Sequence, residues 1–481
     1  MKALAQSAYY AIGIIMMKGV SLMMIPYLTR KLSVAEYGSL EILLLLADVG
    51  TIMFSFGIIN AMYRYVGTAE GEHKRALISN CFTLSALFSG IGAFIIFITL
   101  PLLTRALPAT FESYQILMLA VPILLDGLIT IPMTLLRMND LAKRFCVLNV
   151  LKALGQALMT FILLEAGYGI DAVLISCMVS SLLLMMCLLR YQKQEMGAFG
   201  QLKYSKMLLK FALPTLGGFL SIYMITGLDR WLLASFIGVE ELAVYAIAVK
   251  FALILGLALE PYALWWFPNR IALLQQHNGK QICADNAMLG TNLGIYLGMI
   301  MILTVPGFIT LALPPDYHMS ATLVVGLIVV NMIKTAGEYL NLGCFSGDSS
   351  QAQMWIQCAC AVFAVIGYFW FVPQFGVIAV ITVLGGAYFI RLVMLYYVSQ
   401  QKERLPYRHA NWIKSILLAL TAWQLHQWLN ASITFVPSIV LGIIVSVFAT
   451  IGFLLLGIIP IPESFKIKLS NFVKSHMPTA H

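Results

Sequence analysis

The stretch that decides the fold is residues 76–103, which read ALISNCFTLSALFSGIGAFIIFITLPLL and contain no charged side chain. A helix needs about 20 apolar residues to cross the hydrocarbon core of a bilayer, so this stretch is long enough for one crossing. Long continuous apolar runs are typical of membrane helices and not of the short alternating strands of a membrane β-barrel. The stretch therefore predicts a transmembrane helix.

Similar apolar runs recur along the whole chain. The 481 residues are 60% hydrophobic and only 11% charged, whereas a soluble domain carries about 25% charged residues. The sequence predicts an all-α polytopic membrane protein with about fourteen transmembrane helices and no large domain outside the bilayer. The first run has no clear cleavage site and is interpreted as a retained helix. The runs fall at roughly 7–28, 38–62, 76–103, 114–136, 145–165, 170–189, 208–228, 236–264, 285–312, 320–343, 352–372, 376–398, 413–429 and 434–459.

The positions of lysine and arginine predict the orientation. With fourteen crossings, one set of loops together with both termini carries 20 of the 30 Lys and Arg residues, and the opposite set carries 4. Loops rich in Lys and Arg stay in the cytoplasm. We therefore expect both termini to be cytoplasmic. The net charge of +9 is explained by this rule, and no nucleic-acid partner is expected.

The chain contains a weak internal repeat. Leu32–Glu36 matches Ile237–Glu241 at an offset of 205, and Tyr168–Val173 matches Phe375–Val380 at an offset of 207. Because the offset spans six helices, the two halves would share one orientation and be related by a pseudo-two-fold axis along the membrane normal, as in some transporters. The predicted domains are a six-helix bundle at 1–190, a cytoplasmic linker at 191–210, a second six-helix bundle at 211–400, and two additional helices with a tail at 401–481.

Charged residues inside the predicted spans are the candidate functional groups. A charge at the bilayer centre costs about 2.5–3.5 kcal/mol on insertion scales, so it normally faces a partner or a water-filled cavity. Two interpretations stay open: these charges pair with one another, or they line a hydrated cationic cavity for an anionic ligand. The candidate cavity residues are Lys18, Arg64, Lys152, Lys250 and Lys334, of which Arg64 and Lys152 are close enough to the cytoplasm to snorkel. The candidate ion-coupling residues are Asp126, Asp48, Glu260 and Glu338.

Signals for catalysis and for bound metals are missing from the sequence. It has no P-loop motif, no zinc motif, and eight cysteines that fit small buried apolar groups. We expect no catalytic residue, no metal and no cofactor, apart from H⁺ or Na⁺ as a coupling ion. The predicted external loops are short, which argues against a polysaccharide polymerase or ligase. The protein is predicted not to be an enzyme.

Two segments resemble polysaccharide flippases of the multidrug/oligosaccharidyl-lipid/polysaccharide (MOP) exporter superfamily. The stretch from Tyr27 to Gly38 resembles the family's R-x-L-[SG]-x-x-[DE]-[YF]-G motif, and the stretch from Asp229 to Lys250 resembles its D-R…G…Y-x-x-A-x-K pattern. The matched motif residues are Arg30, Glu36, Tyr37, Gly38, Asp229 and Arg230. Their structural interpretation is as hairpin caps and an interfacial ion pair.

The resemblance implies a function. It implies a two-bundle fold with a cationic cavity. It also implies that the protein lies in a bacterial inner membrane and translocates an undecaprenyl-pyrophosphate-linked oligosaccharide, such as an O-antigen repeat unit of lipopolysaccharide, by ion-coupled alternating access. The expected partners are this lipid-linked oligosaccharide, membrane lipid, and the polymerase and chain-length regulator proteins of polysaccharide biosynthesis. Three alternatives stay open: a drug/cation antiporter of the same superfamily, a polymerase or ligase, and a non-transporting scaffold.

Overall fold

The chain forms helices throughout the part that the structure describes. The computed structural model describes residues 2–55, 57–345, 351–433 and 436–459. The α-helices are α1 (Lys2–Lys31), α2 (Val34–Ser55), α3 (Ile58–Ala61), α4 (Gly71–Ala106), α5 (Ser113–Met138), α6 (Ala142–Glu165), α7 (Ile170–Glu195), α8 (Ser205–Thr226), α9 (Leu228–Phe236), α10 (Val239–Ala252), α11 (Ile254–Leu274), α12 (Gly279–Ala312), α13 (Ser320–Tyr339), α14 (Gln351–Lys402), α15 (His409–Ser432) and α16 (Ser438–Leu455).

These helices make fourteen crossings, as the sequence predicts. Eleven helical stretches among the described residues are long and apolar enough to span a membrane, and α14 is counted once among them. The backbone of α14 leaves the helical region at Gly376, so α14 supplies two crossings. The remaining crossings are α1 and α15. The protein is thus a multi-pass membrane protein, and its predicted all-α polytopic fold class is confirmed. The pseudo-two-fold axis between two six-helix bundles stays a prediction.

Three of the crossings are interrupted. Gly57, with φ 62° and ψ 14°, separates α2 from α3, and α3 continues into a π-helical turn at Met62–Val66. Gly227 separates α8 from α9, and Leu253 separates α10 from α11. Interrupted helices in transporters often mark binding regions, because backbone groups outside a regular helix need a polar surrounding.

The first of two compact units extends through Ile247 and adds Leu313–Tyr317 and Gln357–Leu384. In this unit α1 packs on α6, and α5 packs against α2, α4 and α7. At one end of the unit α2 crosses the start of α10: a Cβ placed on Gly38 would lie 1.9 Å from the carbonyl oxygen of Val239. Only glycine permits this close approach of the two backbones.

The second unit comprises Ala248–Ala312, His318–Ile356 and the chain from Gly385 onward. Here α12 lies at the centre and packs against α11, α13, α15 and α16. The two helices beyond the internal repeat, α15 and α16, are therefore integral to this unit. The predicted domain boundaries at 190 and 400 stay a prediction.

A short connector joins α7 to α8 and lies against α4 within the first unit. The Gly197 amide donates to the Arg75 carbonyl (3.3 Å), and the Gly200 amide donates to the Thr83 hydroxyl (3.1 Å). The Ser205 hydroxyl donates to the Asn80 side chain (3.1 Å). The connector, residues 196–204, is thus bonded to α4 along its length.

Candidate functional site

Lys18 is an exposed cation near the middle of the first crossing. Its side chain is exposed in the first unit, and it makes no ion pair with any residue the structure describes. The 3–4 spacing of the sequence predicts that Ser21 shares a helical face with Lys18, and Ser21 is also exposed. The side chains of Ser7, Tyr10 and Ile14, predicted on the same face, lie outside the described part of the structure. An ammonium without a carboxylate partner at this depth needs water or an anion nearby.

Lys152 and Asp126 lie in one polar neighbourhood of the first unit. The Asp126 side chain hydrogen-bonds with Thr130, and the charge of Lys152 acts on Asp126. Lys152 also lines a groove of 240 Å³ between α6 and α7. The structure thus brings together one predicted cavity cation and the first predicted coupling acid, without a direct salt bridge between them.

A second polar cluster surrounds Arg230. Its guanidinium donates to the Thr226 carbonyl (2.9 Å) and experiences the charges of Asp229, Glu41 and Asp48. The Glu41 side chain is buried, whereas that of Asp48 is exposed. One arginine thus experiences the charges of three carboxylates of the first unit. The interfacial ion pair stays a prediction.

Hydrogen bonds fix the aromatic side of the same cluster. The Tyr245 hydroxyl donates to the Asp229 carboxylate (2.7 Å), and the Trp231 indole donates to the Tyr223 hydroxyl (2.6 Å). The second carboxylate oxygen of Asp229 is buried and has no hydrogen-bond partner among the described residues. A buried acceptor of this kind favours a proton or a cation as its partner.

The hairpin between α1 and α2 explains two of the motif residues. The Glu36 carboxylate accepts from the Ser33 amide (2.8 Å) and hydroxyl (2.8 Å), and the Glu36 amide donates back to the Ser33 hydroxyl (3.2 Å). This reciprocal arrangement is a capping box. Tyr37 is fully buried and packs edge-on against Tyr317, with ring centroids 5.9 Å apart. Arg30 is exposed at the end of α1.

Two charged residues of the second unit, Lys334 and Glu338, contact other helices and do not pair with each other. Lys334 and Glu338 are four residues apart on α13, which suggests an ion pair between them. In the structure the Lys334 ammonium lies 5.8 Å from the Tyr388 ring centroid, and Glu338 faces Arg391 at 4.0 Å. Lys250 and Glu260 are both partly exposed in this unit.

Arg391 and the aromatic partners were missed at the sequence level. Arg391 is the sixth Lys or Arg residue within the spans and is 9% exposed. The count of basic residues could have drawn attention to it. No sequence signal indicated Tyr388 or Tyr245, because a tyrosine in an apolar run gives no clue to its hydrogen-bond partner.

The second unit also contains an apolar groove that the sequence did not indicate. Cavities of 360 and 270 Å³ adjoin, because both are lined by Leu392 and Trp412. Their walls come from α12, α13, α14 and α15 and are aliphatic or aromatic. Tyr407, in the connection before α15, lines one end, and burial raises the pKa of its phenol.

The chain is similar to known proteins both in sequence and in fold. A family model described as "Polysaccharide biosynthesis protein" matches residues 27–261. No curated protein sequence matches the chain. A solved structure of the lipid II flippase MurJ in an inward closed conformation is similar over 93% of this chain and 99% of that one, with a TM-score of 0.74 and 15% identity.

A second solved structure shows the same fold. An inward-facing multidrug resistance MATE transporter of the MOP superfamily matches 82% of this chain and 94% of its own, with a TM-score of 0.54 and 14% identity. At these identities the likeness shows the fold. The resemblance predicted from the two motif segments is confirmed. The solved structures that share this fold are those of a lipid II flippase and of a multidrug resistance transporter.

Proposed function

We propose that this chain, which has the fold shared by MOP-superfamily transporters and the lipid II flippase, is a flippase for a lipid-linked oligosaccharide. Its substrate would be an undecaprenyl-pyrophosphate-linked repeat unit of a surface polysaccharide, moved across the bacterial inner membrane by alternating access. The family model over residues 27–261 supports the polysaccharide class of substrate.

The observation that carries the proposal is the state of Lys18. Its ammonium is exposed at mid-span and makes no ion pair in the described part of the chain. Facing acyl chains, this charge would cost about 2.5–3.5 kcal/mol or more. Facing water, it is a ready partner for a pyrophosphate. Lys18 would therefore hold the headgroup during the crossing.

The apolar groove of the second unit supports a lipid-linked substrate. The two adjoining cavities, of 360 and 270 Å³, offer an elongated apolar surface suited to part of an isoprenoid chain. A hydrophilic sugar gains nothing there, but a polyprenyl tail would bury apolar area.

Asp126 remains our candidate for ion coupling, with Asp48 the second. Asp126 lies within the influence of Lys152 but is not salt-bridged to it, so a proton or Na⁺ could bind at the carboxylate without first breaking an ion pair. Binding or release of that ion would change the charge around Lys152. This change is the step that we propose resets the carrier.

The test is a chromosomal deletion complemented with Lys18 variants. Deletion should accumulate single, untranslocated repeat units on the lipid carrier. Lys18→Ala should accumulate the same intermediate at a wild-type level of inserted protein, whereas Lys18→Arg should restore export because it keeps the charge. Lys143→Ala, an exposed cation in the first turn of α6, is the matched control. Normal export by Lys18→Ala would remove Lys18 from the site, and normal lipid intermediates in the deletion strain would refute the flippase.

The second candidate function is drug/cation antiport. It is favoured by the three carboxylates around Arg230 and by the MATE fold. It predicts that the purified protein in vesicles expels a cationic dye when a Na⁺ or H⁺ gradient is applied, and that Asp229→Asn abolishes the efflux. A flippase predicts no dye efflux.

A further inference from the structure

The second crossing ends in an unusual turn that carries a cation. Met62–Val66 form a π-helical turn directly after α3, with the sequence Met-Tyr-Arg-Tyr-Val. Turns of this kind are rare and occur frequently at functional sites. The orientation predicted from Lys and Arg places this end of the crossing on the cytoplasmic side.

Aromatic rings hold the guanidinium of Arg64. Its central carbon lies 4.8 Å from the Phe211 ring centroid and 5.6 Å from that of Tyr65. Tyr65 and Phe211 in turn pack edge-on, with centroids 6.0 Å apart. A cation is attracted to the face of an aromatic ring, so these two contacts restrain the guanidinium although the Arg64 side chain is exposed.

A second guanidinium lies against the same turn. The central carbon of Arg137, in the last turn of α5, is 5.8 Å from the Tyr63 ring centroid and 5.4 Å from that of Phe145. Arg137 donates to the Thr134 hydroxyl (3.2 Å), and its Nε is buried without a hydrogen-bond partner in the described chain. Arg64 thus belongs to the π-helical turn, and Arg137 packs on Tyr63 of the same turn.

Neither arginine is neutralised by a carboxylate. Over the residues that the structure describes, Arg64 and Arg137 form no ion pair. A guanidinium has five N–H donors in a planar fork that matches two phosphate oxygens. Arginine held on an aromatic face keeps its edge donors available for such an acceptor. The ligand that suits these two guanidinium groups is therefore an anion with several oxygen atoms.

We infer that Arg64 and Arg137 form a loading site for the pyrophosphate of a polyprenyl lipid at the cytoplasmic face, used before the headgroup reaches Lys18. This inference rests on the proposed function and adds a site outside the mid-span charges. The aromatic side chains suit the membrane–water interface, where a lipid phosphate lies. Ordinary anionic phospholipids carry the same phosphate chemistry, so the experiment must separate the two sources.

The experiment measures binding of undecaprenyl pyrophosphate to the purified full-length protein in phosphatidylcholine nanodiscs. The test variant is Arg64→Gln/Arg137→Gln. The matched control is Lys143→Gln/Arg144→Gln, which removes two exposed cations from the first turn of α6. A third variant, Arg64→Lys/Arg137→Lys, keeps the positive charge but removes the planar N–H donors of the guanidinium groups. Thermal unfolding midpoints establish that each variant is folded.

We expect the Gln pair to weaken binding about tenfold or more, the Lys pair to weaken it partly, and the control to change it less than about twofold. A tenfold change corresponds to about 1.4 kcal/mol. Phosphatidylglycerol added to the nanodiscs should not displace the pyrophosphate lipid. Unchanged binding by the Gln pair, or an equal loss in the control, would overturn the site.

Two further results separate this site from the flippase function. Full displacement by phosphatidylglycerol would assign both arginines to bulk lipid and overturn the loading role. In cells, normal export by the Gln pair, in a strain where the deletion accumulates untranslocated units, would overturn the loading site and leave the flippase standing.

Discussion

At the scale of single residues, two charged groups of α13 contact side chains of α14: the Lys334 ammonium lies over the Tyr388 ring, and Glu338 faces Arg391. Five of the six basic residues within the spans can be singled out from the sequence, and the Glu36 carboxylate accepts from the Ser33 amide in the first hairpin. The partners of Lys334 and Glu338 could not be predicted, because they come from α14, far along the chain. Pairing of charges depends on which helices are neighbours, and periodicity within one helix carries no such information.

Gly38 gives a direct test at this scale. We expect Gly38→Ala to destabilise the protein by about 1–3 kcal/mol, because the new Cβ would lie 1.9 Å from the Val239 carbonyl oxygen and the helices must move apart. The measurement is the thermal unfolding midpoint in detergent. Gly217→Ala is the control, since a Cβ there meets nothing within 4 Å. Equal midpoints for both variants would contradict the close crossing of α2 and α10.

At the scale of helices, hydropathy located every crossing but not the interruptions. The apolar run at 38–62 is continuous in sequence, yet the helix breaks at Gly57 and resumes with a different pitch at Met62–Val66. An averaged hydropathy cannot detect such a break, because the residues on both sides are equally apolar. The left-handed backbone of one glycine is visible only in three dimensions.

A graded series at Gly57 tests the break. The φ of 62° is accessible to glycine, tolerable for asparagine and unfavourable for alanine and β-branched residues. A Cβ would also lie 2.8 Å from the Ala212 carbonyl oxygen. We expect folded yield and export to fall in the order Gly, Asn, Ala, Val, with Gly90→Ala in α4 as the neutral control. An Ala variant as stable as the wild type would show that the break is not required.

At the scale of the whole molecule, helix number and transporter fold were predictable, and the packing units were not. Fourteen apolar runs suffice for the number of helices, whereas the orientation from the bias of Lys and Arg stays a prediction. The compact units combine separate stretches of chain, for example Gln357–Leu384 with the helices that precede Ile247. The order of apolar runs in the sequence cannot show which helices belong to one packing unit, because the hydropathy of a membrane helix does not indicate which helices it packs against.

The predicted orientation can be tested with reporter fusions. An alkaline phosphatase fused after Pro108 should be active, because that loop is predicted to be periplasmic. The same enzyme fused after Gly200 or at residue 459 should be inactive. A cytoplasmic reporter at the same three positions is the reciprocal control and should give the opposite pattern. If both reporters gave the reverse pattern at all three positions, the predicted orientation would be wrong, and the Arg64–Arg137 site would not lie at the cytoplasmic face.

The connector between α7 and α8 has a consequence for engineering the protein. Residues 196–204 are hydrogen-bonded to α4, for example from the Gly200 amide to the Thr83 hydroxyl. The connector therefore acts as a rigid segment and not as a flexible linker. Lengthening it would add a surface bulge without loosening the attached spans. A tag or sensor domain that needs a flexible linker is better inserted elsewhere. Removing the hydrogen bonds between the connector and α4 would increase the mobility of a segment that composition alone suggests is a flexible linker.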